Sequence, residues 1–282
     1  MNCLVITADD FGLAREVNEA VEIGHSRGIL SAASLMVSAA FAEDAVERAS
    51  RLPNLRVGLH LALTDAAPTL SPRQIPHLVD RRGRLRSDLA RFGLELAVSE
   101  AARTQMRAEI EAQFRAFRST GLPLDHVNVH RHFHLHPIVA AMVIDIGSRF
   151  GALALRVPRE PRRIAKSGAF SGRHVEDLCS RMLKRRARRS GVMTPEAVFG
   201  LRWSGRVTAE RLRLLLESLP CGFFEIYLHP ATRDVFPGHA PGYRYVEELG
   251  ALIDPANAEA LRRSGRRLCG YQDAVAARPM LQ

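Results

Sequence analysis

Short apolar runs of β-favouring residues alternate along the chain with stretches whose apolar positions recur at helical spacing. Residues 3–7 precede a helix-period stretch at 13–27, residues 33–37 precede 41–51, and residues 55–63 precede, after a long loop, 100–119. The rhythm continues with 126–130 before 138–150, 153–157 before a basic helical region, 198–201 before 208–219 and 223–229 before 246–252. A last run at 267–271 closes the series. Seven or eight β-α repeats in 282 residues predict an α/β fold: one single-domain parallel β/α barrel spanning 1–282, TIM-like but distorted or seven-stranded. A doubly wound open sheet is the alternative, but no glycine-rich phosphate loop follows the first run. Two polar, proline-marked stretches, about 64–90 and 158–172, predict insertions on the barrel rim, the first a candidate substrate lid.

The chemistry sits where these runs end. The segment 125–137, DHVNVHRHFHLHP, holds five of the chain's eleven histidines. If it is extended, period-two alternation puts His130, His132, His134 and His136 on one side, which reads as a metal site; a solvated His tract is the bland alternative. Four such residues cannot all reach one ion, so ligands must also come from elsewhere. Asp9 and Asp10 end the first run. In a regular strand they would face opposite ways, but before Phe11-Gly12 the alternation can break and turn both toward one centre. One carboxylate could then bind a metal while the other takes a proton from water. The bland reading has Asp10 capping the next helix and Asp9 in a surface turn.

His60 ends the third run inside apolar sequence, where a lone histidine is more often a core residue than a ligand; an aspartate and a His cluster beside it reverse that reading. An Asp-His-His set leaves coordination positions open, as catalytic metal sites do. Nitrogen-rich ligation suits one divalent ion, zinc foremost, with magnesium, manganese or iron as alternatives. His229, stopped by Pro230 at the end of the seventh run, suits a general acid. Arg156, ending the fifth run, could hold Asp9 ionised, grip a substrate or belong to a basic surface.

Charge adds one feature. Of the formal net +10, residues 156–189 supply most, with twelve Arg or Lys against Glu160, Glu176 and Asp177. That segment predicts a basic face for anionic lipid headgroups or nucleic acid, or a merely solvated arginine-rich surface. The N-terminus enters an apolar run without a basic leader, which predicts a cytoplasmic location. Cys3, Cys179, Cys221 and Cys269 lie far apart and form no C-x-x-C pair, which predicts free thiols.

Taken together, TADDFG, G-x-H-L at 58–61, the His-rich segment and His229-Pro230 resemble the YdjC family of carbohydrate deacetylases, over nearly the whole chain. The strings TADDFGLAREVNEAVE, ILSAASLMV, LRVGLHLAL, GLPLDHVNVHRHFHLHP and LRVPREP are similar to its hopanoid-biosynthesis branch, the HpnK proteins. The resemblance implies Asp9 as base, Asp10, His60 and His130 as metal ligands, and His229 as acid. It leaves His132 and His134 as contacts to substrate or to the ligands, with Arg156 beside them. Two departures stand out: the family often has Asp where this chain has Asn128, and glycine where it has Ala231.

The implied reaction is metal-dependent removal of an N-acetyl group from a GlcNAc-type sugar. On the branch resemblance, the substrate is an amino-sugar glycolipid, an N-acetylglucosaminyl hopanoid, met at the inner face of the cytoplasmic membrane through 156–189. Soluble chitooligosaccharides are the first rival. A basic nucleic-acid-binding protein with a structural metal ranks low, since the ligand pattern is open and no nucleic-acid module is present; the expectation is no nucleic-acid partner. Base rates for such barrels predict a homodimer.

Overall fold

Every residue of the first strand is buried, which a strand achieves only when both of its faces are covered. In the computed structural model, which describes residues 2–161 and 174–277, this strand, β1 (Cys3–Phe11), is the centre of a seven-stranded parallel sheet. The others are β2 (Ala32–Leu35), β3 (Arg56–Leu61), β4 (Val127–Val129), β5 (Ala197–Phe199), β6 (Phe223–Leu228) and β7 (Arg267–Leu268). Their order is β4-β3-β2-β1-β6-β5, with β7 pairing the start of β1 at Cys3 and Leu4. The helices are α1 (Arg15–Arg27), α2 (Ala42–Ser50), α3 (Leu89–Val98), α4 (Glu100–Ser119), α5 (Pro137–Arg149), α6 (His174–Arg189), α7 (Ala209–Ser218), α8 (Tyr245–Ile253), α9 (Pro255–Arg263) and α10 (Tyr271–Ala276).

Side-chain alternation sorts the strands into two layers. Leu4, Ile6 and Ala8 of β1, Val57, Leu59 and Leu61 of β3, and Ile226 and Leu228 of β6 join the large core beneath the helices. The intervening residues point the other way. At the amino-terminal end these are Cys3, Val5, Ala32, Ala154 and Phe223, a smaller apolar cluster completed by Cys269 and Tyr271. Two residues further along the same strands they are Thr7, Asp9, Ser34, Arg156 and Glu225, all buried and polar. The curled interior thus grades from apolar to polar toward the carboxyl ends of the strands, where parallel barrels carry their sites.

The expected barrel is present, with one strand weakened. Residues 153–157 form only single bridges, Val127 with Leu155 and Ala154 with Met193. They still span the gap: Arg156 N–H donates to Val127 on the β4 side at 2.9 Å, and Leu155 N–H donates to Met193 at 2.9 Å. Pro158 lacks the N–H that would extend the ladder. The free-thiol expectation fails for two cysteines. The β1–β7 pairing brings Cys3 and Cys269, 266 residues apart in sequence, into a disulfide, while Cys179 and Cys221 are free.

The first rim insertion folds as turns with an antiparallel bridge between Val79 and Leu85. It is tied down where Glu109 of α4 accepts from the backbone N–H groups of Thr69 and Leu70. Most of the second, at 158–172, lies outside the described residues. No described helix is long and apolar enough to cross a membrane.

Candidate active site and metal centre

β1 loses its regular register between Ala8 and Phe11. Asp10 takes φ 63°, a left-handed conformation that aspartate tolerates better than most residues, so it turns to the same side as its neighbour. Both carboxylates are buried, and the helix that follows is capped by Ala14 with no side-chain bond, so neither aspartate is a cap. The Asp10 Oδ1 atom lies 3.3 Å from His60 Nε2 and 3.2 Å from His130 Nδ1, and the two ring nitrogens are 3.3 Å apart.

Asp10, His60 and His130 form a group whose ligand atoms all lie within 4.8 Å of one another. Asp10 Oδ1 is buried without a hydrogen-bond partner. A divalent cation fits this donor set, because one ion among an oxygen and two imidazole nitrogens satisfies all three atoms and leaves room for further ligands.

The neighbours settle which nitrogen of His60 faces that point. Asn128 Nδ2 donates to Asp9 Oδ1 at 3.1 Å and to Ser34 Oγ at 2.7 Å, so its Oδ1 is turned to accept from His60 Nδ1 at 2.7 Å. With the proton on Nδ1, Nε2 presents its lone pair toward Asp10. Ser34 Oγ donates to Asp9 Oδ1 at 3.0 Å, completing the network.

Asp9 also receives two guanidinium N–H groups of Arg156, which is fully buried and holds Glu225 by Nε at 3.0 Å and Nη2 at 2.7 Å. Burial alone would raise the Asp9 pKa; the Arg156 charge, aided by His60 and by the Arg156 hydrogen bonds, overrides it and holds the carboxyl well below its usual range. Glu225 is satisfied in turn by Thr7 Oγ1 at 2.7 Å and the Tyr271 hydroxyl. Arg156 also stacks over the Tyr227 ring, 4.7 Å from its centroid.

His229 is half-buried between the rings of Tyr227 and Tyr243, at centroid distances of 5.4 and 5.1 Å. Its backbone N–H donates to Glu248, whose carboxyl burial pushes up to about 8 against the pull of the Val207 and His229 N–H groups. Burial pushes the His229 ring below its usual pKa, opposed by the charges of Asp10 and Asp9. Asp9, Asp10, His60, His130, His132 and His229 all line one open cavity of about 680 Å³, with insertion residues Asp65 and Arg84 on its wall.

The alternating-histidine geometry does not hold. Residues His130–Leu135 form a 3₁₀ turn in which Arg131 and His132 take φ 52° and 55°, so the four imidazoles diverge. His130 reaches the Asp10 cluster. His132 lines the cavity with Nε2 3.5 Å from the Tyr227 hydroxyl, whereas buried His134 turns away and bonds the Arg156 carbonyl at 2.8 Å. Burial lowers the His134 pKa to about 4, so it is neutral and donates from Nε2. His136 precedes α5 and packs on Gly93. Arg156 does not belong to the basic surface: it is 0% exposed, because Asp9 and Glu225 neutralise it inside the barrel.

The pattern of the sequence left Ser34, Asn128, Glu225, Tyr227 and Glu248 unassigned. A signal existed for three of them: Asn128 is two residues before His130, and Glu225 and Tyr227 share strand parity with His229. The glycine of G-x-H-L also has a reason, since a Cβ on Gly58 would lie 2.5 Å from the His126 ring.

Residues 3–263 match the YdjC-like protein family. The chain belongs to the YdjC family. Relatives of this YdjC protein include a carbohydrate deacetylase of Geobacillus stearothermophilus, 28% identical over 95% of this chain and 96% of that one. A chitooligosaccharide deacetylase of Proteus mirabilis is 28% identical over 96% of this chain and 98% of its own. Among solved structures, an Enterococcus faecalis protein provisionally assigned to cellobiose-phosphate cleavage superposes on this YdjC chain with a TM-score of 0.76. It is 23% identical and covers 97% of this chain and 98% of that one, which establishes the shared fold.

Proposed function

We propose that the protein is a metal-dependent carbohydrate N-deacetylase that removes acetate from a GlcNAc-type sugar. The observation that carries this reading is the convergence of Asp10, His60 and His130 beside an ionised Asp9, at the wall of a cavity that also holds His229. The names of the full-length relatives agree with it. A divalent ion held by Asp10, His60 and His130, zinc by preference for the two imidazoles, supplies Lewis acidity toward the acetamide oxygen and the attacking water.

The chain's own residues do the rest. Asp9 Oδ1 is saturated by Ser34, Asn128 and Arg156, while Oδ2 carries one Arg156 bond and keeps a lone pair. Oδ2 is therefore the atom that accepts the water's proton. His229 lines the same cavity with its ring flanked by Tyr227 and Tyr243, and is the group placed to protonate the departing amine.

The finer reading is a GlcNAc-bearing lipid, an N-acetylglucosaminyl hopanoid, supported by the local strings similar to the hopanoid-biosynthesis branch. The second reading, a soluble chitooligosaccharide, is favoured by the name of the Proteus mirabilis relative. Acetate release from a GlcNAc-linked hopanoid in detergent and from diacetylchitobiose, with metal-loaded wild type and His130→Ala, separates them. Release from the lipid alone, lost in His130→Ala, supports the finer reading. Release from chitobiose alone moves the protein to soluble sugars, and release from neither contradicts the deacetylase reading.

A further inference from the structure

Helix α6 presents two unlike faces. Its inner side is Ser180, Leu183 and Ala187, all buried, and Ser180 Oγ donates to the Pro158 carbonyl at 2.6 Å. On the outer side Val175, Leu178 and Met182 recur at helical spacing and are 73%, 57% and 52% exposed. At about 100° per residue these three fall within about 60° of one another around the axis. Exposed Arg185, Arg186 and Arg189 continue the same stripe through the last turns, with exposed Arg181 and Arg188 at its margin.

A solvated helix face has no use for three large apolar side chains in a row, and packing among the described residues leaves them outside. A polynucleotide would use the arginines but not Val175, Leu178 and Met182. The surface of an anionic bilayer uses both, since apolar side chains enter the acyl boundary while guanidinium groups meet the phosphates. The position of the stripe bears on function as well. Ser180 and Arg181 of the same helix wall a second cavity of about 520 Å³. Arg131, His132 and Leu201 line both that cavity and the one lined by Asp10, His60 and His130.

We propose that the outer face of α6 docks the protein on anionic membrane lipid, laying against the bilayer the helix whose other side walls the side cavity. The docking does not rest on the deacetylase reading, although a lipid-borne sugar is the substrate such an arrangement would serve.

The test is co-sedimentation of the full chain with vesicles of phosphatidylcholine alone and of phosphatidylcholine doped with phosphatidylglycerol, for wild type, R185Q/R189Q and L178S/M182S. All three are first checked for equal melting temperature. Wild type is expected to bind only the anionic vesicles. Each arginine removed should weaken partitioning about fivefold, so about 25-fold for the pair, and L178S/M182S should weaken it by about tenfold. No binding of wild type to anionic vesicles overturns the proposal. So does equal binding by all three proteins, a loss confined to the arginine variant, or tighter retention on duplex DNA than on vesicles. Acetate release from a GlcNAc-linked hopanoid and from diacetylchitobiose is a separate readout: its absence with both substrates bears on the deacetylase reading and leaves the docking result standing.

Discussion

Replacing Arg156 by methionine separates what this residue does for the fold from what it does for the chemistry. The guanidinium is fully buried and makes four hydrogen bonds, two to Asp9 and two to Glu225, so two buried carboxylates share one cation. Methionine fills much of the same volume but leaves both acids without a counter-charge. Breaking a buried pair by removing one partner costs about 3–5 kcal/mol. At about 2–3 °C per kcal/mol for a chain of this size, the melting temperature of R156M should fall by about 6–15 °C.

Adding Glu225→Gln removes one of the two orphaned charges and should recover about 1–3 kcal/mol. It should not recover activity, because Asp9 still lacks its cation. The pH profile carries the second half of the test. In wild type Asp9 stays ionised across any practical assay range, so its titration leaves no mark. In R156M burial is no longer opposed by Arg156, the Asp9 pKa rises, and acetate release should gain a rise with pH that wild type lacks. Thermal melts of R156M and R156M/E225Q, with pH–rate profiles of acetate release, read both effects. An unchanged melting temperature and profile in R156M, or activity returning together with stability in the double variant, would refute this reasoning.

Asn128→Leu removes the acceptor that fixes the His60 tautomer, so divalent-ion affinity by titration calorimetry should fall by about 10–100-fold while the fold persists; unchanged affinity would show that His60 is oriented by other means. Glu248 has a folded pKa of about 8 against an unfolded value of about 4.3, so the folded state binds more protons between them and stability declines as pH rises through that window. Thermal melts across this range should therefore show wild type losing ground to Glu248→Gln with rising pH, by up to about 1.4 kcal/mol per pH unit, and a constant gap would contradict the assignment. Gly58→Ala should cost about 1–3 kcal/mol by driving a methyl group into the His126 ring, which Asp125 and Ser34 pin by hydrogen bonds; adding His126→Ala should relieve much of it in denaturant melts.

The parts of the fold legible in the sequence were those set by local pattern. The short apolar runs at 3–7 and 223–229 predict strands, and β1 and β6 are buried throughout, as strands of a parallel sheet covered on both faces are. Period-two reasoning failed at the histidine run because Arg131 and His132 adopt left-handed backbone, which apolar patterning does not encode. The broken alternation at Asp9 and Asp10 was legible because Phe-Gly follows it. Of the readings open for Arg156, holding Asp9 ionised is the one the structure has, while its second partner, Glu225, 69 residues away, was out of view. Glu225 was hidden in an apolar strand, where a lone acid carries no local sign of the guanidinium that neutralises it. Cys3 and Cys269 were unreadable for the same reason, since only the pairing of the first and last strands brings them together.

The assignment of Asp10, His60 and His130 as the ion's ligands is tested most directly by acetate release from whichever of the GlcNAc-linked hopanoid and diacetylchitobiose the wild type cleaves, using chelator-stripped protein titrated with Zn²⁺ and compared with His60→Ala. It predicts no release from the stripped chain, recovery that saturates at one ion per chain, and none in His60→Ala at the same ion concentration. Full release from the stripped chain, or zinc-restored release in His60→Ala equal to wild type, would contradict the claim that Asp10, His60 and His130 hold the ion on which the chemistry depends.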